Sequence, residues 1–173
     1  MNKTFGFYGS GSYCVSKAAL HLKDCFRLLW EQHVYWTRMV IMGIAFGLPD
    51  LEASTNRLLS NAPDFARVFG RYYGNAIAAE FEGLIRDHLT LAAELVTAVK
   101  AGNSKAAESI ERRWYKNANA IACFLSQINS CWPYKHMKSM WFEHLSLTKD
   151  EAAAILGNQH ARSIELFDQI ERL

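Results

Sequence analysis

Apolar residues recur at alternating steps of four and three through most of this sequence, which is the spacing of one buried face of an α-helix. No alternation of apolar and polar residues is long enough to predict a β-strand. The three prolines, at positions 49, 63 and 133, all fall between periodic segments. The sequence therefore predicts an all-α fold. The clearest stripe reads Ile77, Phe81, Leu84, His88, Leu91, Leu95 and Ala98.

Glycine, proline and capping residues between the periodic segments predict where each helix begins and ends. Gly47 with Pro49 closes the first helix, and Gly102 closes a later one. Thr148 and Glu151 have the spacing of a capping box, which predicts that the last helix starts there. The expected fold is a four-helix-type bundle with two additional short helices in the connections. The predicted helical segments cover residues 16–46, 51–60, 63–74, 75–100, 104–129, 133–145 and 148–173.

The chain of 173 residues is long enough for one domain with a sizeable core. We predict a flexible N-terminal arm over residues 1–15, where glycine and serine are frequent, and a single helical-bundle domain over residues 16–173. The first residues contain no continuous apolar run of the kind found in signal peptides, which favours a cytoplasmic protein. No apolar stretch reaches the length of a membrane span, so we expect no membrane-spanning helix.

The composition narrows the function classes. Apolar residues make up 50% of the chain and charged residues 21%, which is typical of a folded globular protein. The net charge is only +2 and the basic residues are scattered, so we expect no nucleic-acid partner. Cys14, Cys25, Cys123 and Cys131 form no CxxC pair, and we interpret them as free thiols.

Polar side chains interrupt the predicted apolar faces near the middles of the helices. His33, His88 and Asn117 each stand where an apolar residue is expected, and His144 does so at the end of a shorter helix. Helices of similar length that pack side by side bring their middles to similar heights, so we expect these four residues to form one polar layer. A buried polar group without a partner costs about 1–3 kcal/mol. We therefore expect the polar groups of this layer to have binding partners.

A transition metal is the first candidate for satisfying the layer. Neutral imidazoles from separate helices suit zinc, iron, copper or nickel, and helical-bundle cores are a known location for such sites. His33, His88 and His144 are the candidate ligands, with zinc or iron as the expected cofactor. Three histidines and an open fourth position would fit a catalytic zinc ion that activates water, although the sequence indicates no substrate. Candidates for a further ligand or for a hydrogen-bonding partner of the ligands are Glu31, Asp87, Glu143 and Glu151.

A structural role and a small-molecule site are the two alternatives to a metal. In the structural role, the histidines and Asn117 hydrogen-bond to one another and only fix helix register in a non-catalytic structural or interaction protein. In the small-molecule site, Trp36 and Trp114 serve as aromatic walls and Arg38 as a partner for a carboxylate or phosphate. A small-molecule ligand and a second copy of the chain, as a homodimer, are the partners left open. Catalysis is neither indicated nor excluded.

Several segments are distinctive enough to compare with known proteins. They include residues 29–38 (LWEQHVYWTR), 114–118 (WYKNA) and 144–149 (HLSLTK). Over about residues 28–171 the sequence resembles a group of small all-helical bacterial proteins of unestablished function, common in Gram-positive spore formers and clostridia. The resemblance implies a helical bundle; some members look secreted, with a leader that this N-terminus does not match. Some members carry the name acetylglutamate kinase, which we interpret as mislabelling because this chain has no glycine-rich phosphate loop.

Overall fold

A computed structural model describes residues 16–173 of the chain, and within that range the protein is all-helical, with no β-strand. The predicted arm over residues 1–15 lies outside the described residues. Several predicted boundaries are confirmed. Ser16 caps the first helix, since its Oγ accepts a hydrogen bond from the backbone N–H of Ala19 at 3.1 Å. The helices are α1 Lys17–Phe46, α2 Leu51–Leu59, α3 Asn61–Tyr73, α4 Asn75–Lys100, α5 Ser104–Ile128, α6 Tyr134–Leu156 and α7 His160–Glu171.

The predicted helix start at Thr148 is wrong. Helix α6 runs through this position without a break, and the Thr148 hydroxyl lies 3.5 Å from Nδ1 of His144 instead of capping a new helix. A single face of α6 is buried continuously through Leu145, Thr148, Ala152 and Ile155. Burial of a continuous face stabilises a helix more than one terminal cap does, because most helical stability in proteins comes from tertiary packing.

The break in this part of the chain comes later, after Leu156. Asn158 adopts the left-handed backbone conformation, with φ of 56°. The backbone N–H of Gln159 then donates to the carbonyl oxygen of Ala154 at 2.8 Å, which is the pattern of a helix C-terminal motif. Helix α7 starts immediately afterwards, at His160, and packs against α6 and α1.

The long helices surround the core and the short helices cover it. Helix α4 packs against α3 and α5, α5 packs against α6, and α1 contacts α2, α4, α6 and α7. The centre of the larger core is aromatic: the rings of Phe69 and Phe81 stack at 4.1 Å between centroids, and Phe124 lies 5.8 Å from Phe81. A smaller cluster surrounds Trp114 and Leu145. Among residues 16–173, no helix combines the length and hydropathy needed to cross a membrane.

An ion pair and its neighbouring hydrogen bonds join three of these helices. The Arg38 guanidinium of α1 donates to the carboxylate of Glu151 on α6, whose side chain is 2% exposed. The same guanidinium donates to the backbone oxygen and to the Oγ of Ser163 on α7, both at 3.2 Å. Arg38 therefore holds α6 and α7 against α1, and Glu151 serves this pair instead of the capping box that the sequence suggested.

Candidate metal centre

Three histidines from three helices meet inside the protein. His33, His88 and His144 lie near the middles of α1, α4 and α6, and they are only 3%, 1% and 3% exposed. The ring centroids of His33 and His144 are 5.5 Å apart, those of His88 and His144 5.7 Å, and those of His33 and His88 6.1 Å. One ring nitrogen from each residue lies within 4.8 Å of those of the other two. The predicted convergence of these histidines is confirmed.

The continuity of α6 explains why His144 belongs to this layer. The sequence placed His144 at the end of a short helix, but in α6 it lies mid-helix, at the level of His33 and His88. Leu145 beside it is completely buried, so this turn of α6 is firmly packed against the smaller core cluster. Each histidine therefore projects from a well-buried helical turn, which limits the movement of its ring.

Asparagine amides accompany two of the three rings. Asn117 on α5 donates its Nδ2 to the backbone oxygen of Leu84 at 3.0 Å, and Asn61 on α3 donates its Nδ2 to that of Leu29 at 3.2 Å. Each amide therefore presents its Oδ1 on the other side. Neither Oδ1 atom has a hydrogen-bond partner of regular geometry. Each amide nevertheless raises the pKa of a nearby ring, Asn61 that of His33 and Asn117 that of His88.

Asn61 was missed by sequence reasoning, although a signal was present. It lies in the predicted connection between two short helices, where an asparagine before a proline is typical of a turn. The buried stripe in fact continues through it, by steps of three and four from Leu58 to Asn61 and on to Phe65 and Phe69. A search for polar residues in stripes that cross short predicted breaks would have found Asn61.

Burial strongly favours the neutral form of all three rings. Removal from water lowers the pKa of His33 from the usual 6.5 to about 4 and that of His88 to about 3, while Asn61 and Asn117 oppose the shift. The pKa of His144 is also well below 6.5, first because of burial and then because His33 and His88 disfavour a further positive charge. Neutral imidazole is the form that coordinates a metal ion.

The ring nitrogens have little else to bind. Both nitrogens of His33 and the Nδ1 of His88 are buried without a hydrogen-bond partner of regular geometry among the described residues. The Nδ1 of His144 has the Thr148 hydroxyl at 3.5 Å, which leaves its Nε2 free for another contact. A neutral imidazole keeps one nitrogen with a lone pair even when the other donates its hydrogen. The layer is therefore left with unused acceptor nitrogens.

Three tryptophan rings pack around the triad. The ring of Trp30 stacks on His33 at 5.3 Å and meets His144 edge-on at 5.0 Å. Trp141 meets His88 edge-on at 5.2 Å. Trp114 lies 5.4 Å from His88 and donates its indole N–H to the His88 backbone oxygen at 3.1 Å, so this predicted neighbour does lie at the site. These rings exclude water and lower the local dielectric.

Several residues proposed from the sequence lie away from the triad. Asp87 and Glu143 are exposed on the outer faces of their helices. Arg38 is engaged by Glu151, and Trp36 lies instead beside the guanidinium of Arg57, at 5.8 Å. Asp87 and Glu143 are each next to a histidine in the sequence, but consecutive residues of a helix point in different directions. Among the described residues, the metal-ligand group contains the three histidines and no carboxylate.

A cavity of about 860 Å³ adjoins the triad. His33 and His144 form part of its wall, together with Trp30 and Trp141. Glu31, one of the predicted carboxylates, also lines this cavity, where it pairs with Arg27 at 3.2 Å. The triad is therefore buried but adjoins a space large enough for a small molecule.

The three histidines could supply three ligands of a four-coordinate metal ion. Zinc takes imidazole nitrogens at about 2.0–2.1 Å, which in a tetrahedron places them about 3.3 Å from one another. The nitrogens of the triad lie within 4.8 Å of one another, so they would have to approach by at most about 1.5 Å to reach this spacing. A fourth ligand can come from the cavity side.

The chain was also compared with known proteins. No protein-family model matches it, and no curated protein and no solved structure was found to be similar to it.

Proposed function

We propose that this protein binds one divalent transition-metal ion, in the first place zinc, through His33, His88 and His144. The observation that carries the proposal is the convergence of three buried ring nitrogens, one from each of three helices, within 4.8 Å. Three imidazoles with an open fourth position are a typical ligand set of reactive zinc sites. Iron is the weaker choice, because its common non-haem site combines two histidines with a carboxylate.

The cost of the layer without a metal supports this proposal. Each buried imidazole nitrogen without a partner costs about 1–3 kcal/mol, and His33 and His88 contribute such nitrogens from two helices. A metal ion would bind one nitrogen of each ring. Asn61 and Asn117 would then accept the remaining N–H of His33 and His88, as carboxylates and carbonyls commonly do behind metal-bound histidines.

We also infer that α1, α4, α5 and α6 form a four-helix-type bundle around the site. The contacts that support this form a closed ring, from α1 to α4, to α5, to α6 and back to α1. Helices α2 and α3 lie in the connection between α1 and α4. Such a bundle is also what the resemblance to small all-helical bacterial proteins implies.

A structural role for the layer is the rival proposal. The observation that favours it is the close packing of the rings of His33 and His144 against Trp30, which fills the space beside these rings without any ion. In this case the layer would fix the register of the helices only. It predicts that His88→Leu, which places an apolar side chain there, folds at least as stably as the wild type and loses nothing measurable.

Metal analysis of the full chain, purified without a nickel column, tests the proposal. We expect about one equivalent of zinc in the wild type and in His136→Ala, an exposed histidine of α6 outside the triad. We expect loss of the zinc in His88→Ala and also in His88→Gln, which keeps a larger side chain at this position. Circular dichroism shows whether each variant is folded. Substoichiometric metal in the wild type after incubation with zinc, equal to that in the His88 variants, would overturn the proposal.

A further inference from the structure

We propose that the cavity beside the triad binds an apolar aromatic molecule with one anionic donor group, and that this donor occupies the fourth coordination position of the metal. The inference rests on the proposed function, because the metal holds the donor. It goes further in naming the chemical class of the ligand. Three features support it: the position of the cavity, the composition of its walls and the charge of the site.

The cavity lies next to the triad. His33 and His144 belong to both the triad and the cavity wall, so a molecule in the cavity lies directly beside two of the three metal ligands. The cavity volume of about 860 Å³ lies within the range of about 300–1,000 Å³ that is typical of small-molecule sites. Water alone does not require a space of this size.

The walls of the cavity are suited to an aromatic ring system. They combine flat aromatic side chains with flexible methionines, which adapt to the shape of an apolar guest. Near the triad the walls are Trp30 and Trp141, which already contact the histidine rings edge-on. The remaining apolar wall is contributed by several helices and includes Phe26, Phe65, Phe81, Met137 and Met140.

The charge of the site favours an anionic donor. The three ligands are neutral imidazoles, so a divalent ion would keep its full charge in surroundings from which water is largely excluded. Among the side chains of the cavity wall, Glu31 and Glu171 are matched by Arg27 and Arg172. Glu31 is also already paired with Arg27. An anion brought by the ligand would supply the missing negative charge.

Two sulfonamides that differ only in the apolar group provide a direct test. Cobalt(II) is loaded into the full chain, and its visible spectrum is followed while benzenesulfonamide or methanesulfonamide is added. Both offer the same anionic nitrogen to the metal, but only the first has an aromatic ring for the cavity. We expect benzenesulfonamide to bind at least tenfold more tightly, because its ring removes more apolar surface from water.

Two tryptophan variants locate the binding site. Met140→Trp places a large side chain in the cavity, and we expect it to weaken benzenesulfonamide at least tenfold more than it weakens methanesulfonamide. Ser139→Trp, on the exposed face of the same helix, is the matched control and should change neither affinity. Equal affinities of the two sulfonamides for the cobalt-loaded wild type would overturn this inference alone. Failure of the wild type to bind cobalt would overturn the proposed function on which it rests.

Discussion

Asn61 and Asn117 occupy equivalent positions around the triad, although they lie on different helices. Each donates its Nδ2 to the backbone oxygen of the residue four positions before a histidine: Leu29 before His33, and Leu84 before His88. Donation to a backbone oxygen fixes which side of the amide carries the oxygen. In both cases Oδ1 is left to accept the ring N–H, so that the other ring nitrogen is free for a metal.

Removal of either amide should therefore weaken metal binding without removing a ligand. We expect Asn61→Ala and Asn117→Ala each to lower zinc affinity about 10- to 100-fold, the effect usual for groups that orient metal-bound histidines. Competition with a chromophoric chelator measures the affinity. Asn56→Ala, at an exposed position of α2, is the control and should bind zinc like the wild type. Unchanged affinity in both test variants would show that the amides have no part in the site.

Zinc should stabilise the folded chain, since only the folded state brings the three rings together. At a free zinc concentration about 100 times the Kd, the expected gain is about 2.7 kcal/mol. For a domain of this size that corresponds to about 5–10 °C in Tm. Thermal unfolding in EDTA and in zinc measures the shift, and His88→Ala should show none. An equal shift in His88→Ala would mean that the ion binds elsewhere.

In the absence of metal, the triad should reduce stability. His88→Leu replaces a buried ring whose Nδ1 has no partner of regular geometry with an apolar side chain of similar size. We expect the metal-free variant to be more stable than the metal-free wild type by about 1 kcal/mol in urea unfolding, and to bind no zinc. A metal-free variant that is less stable than the metal-free wild type would show that the buried ring carries no such cost.

The ion pair between Arg38 and Glu151 should behave as a unit. Glu151→Ala leaves Arg38 with Ser163 as its remaining partner, and we expect a loss of about 3 kcal/mol in the free energy of unfolding. The double variant Arg38→Met with Glu151→Leu removes both charges, so it should be less destabilised than Glu151→Ala alone. A double-mutant cycle in urea measures the coupling. Strictly additive losses would contradict a direct interaction.

The same carboxylate should make stability depend on pH. Burial raises the pKa of Glu151 above 4.5, and Arg38 only partly opposes the shift. The folded state then holds this proton more tightly than the unfolded state, so the stability it contributes is fully present below pH 4.5 and is lost as pH rises through the folded pKa.

A comparison with Glu151→Gln isolates this effect, because other titrating groups are common to both proteins. In EDTA, the free energy of unfolding of the wild type relative to Glu151→Gln should fall as pH increases above 4.5. Glu143→Gln, which makes the same substitution at an exposed position of the same helix, is the matched control. A difference between wild type and Glu151→Gln that is independent of pH would contradict the raised pKa.

The helical periodicity of the sequence was sufficient to predict the all-α fold and the burial of the three histidines. Periodicity determines which side of a helix faces inward, so a histidine inside an apolar stripe must be buried, as His33 and His88 are. His144 was assigned correctly to the layer, although its helix was predicted to end too early.

Features that depend on contacts between distant helices could not be predicted in this way. The continuity of α6 depends on a face buried by other helices, and Glu151 is buried because Arg38 approaches it from α1. The capping box at Thr148 is a valid local pattern that these contacts override. Asp87 was a candidate partner of the layer, yet it lies one residue from His88, and a step of one residue turns a side chain to another face of the helix.

The spacing of the triad along the chain has a consequence for assembly. His33 and His88 are separated by 55 positions, and His88 and His144 by 56. No two of these three histidines can chelate an ion through local structure, so in the unfolded chain the triad offers no partial site. An ion would close two long loops at once and would act as a cross-link that forms only after α1, α4 and α6 have docked. Uptake of metal would then report the completion of folding, and a chain in which α6 is misplaced would present two nitrogens where three are needed.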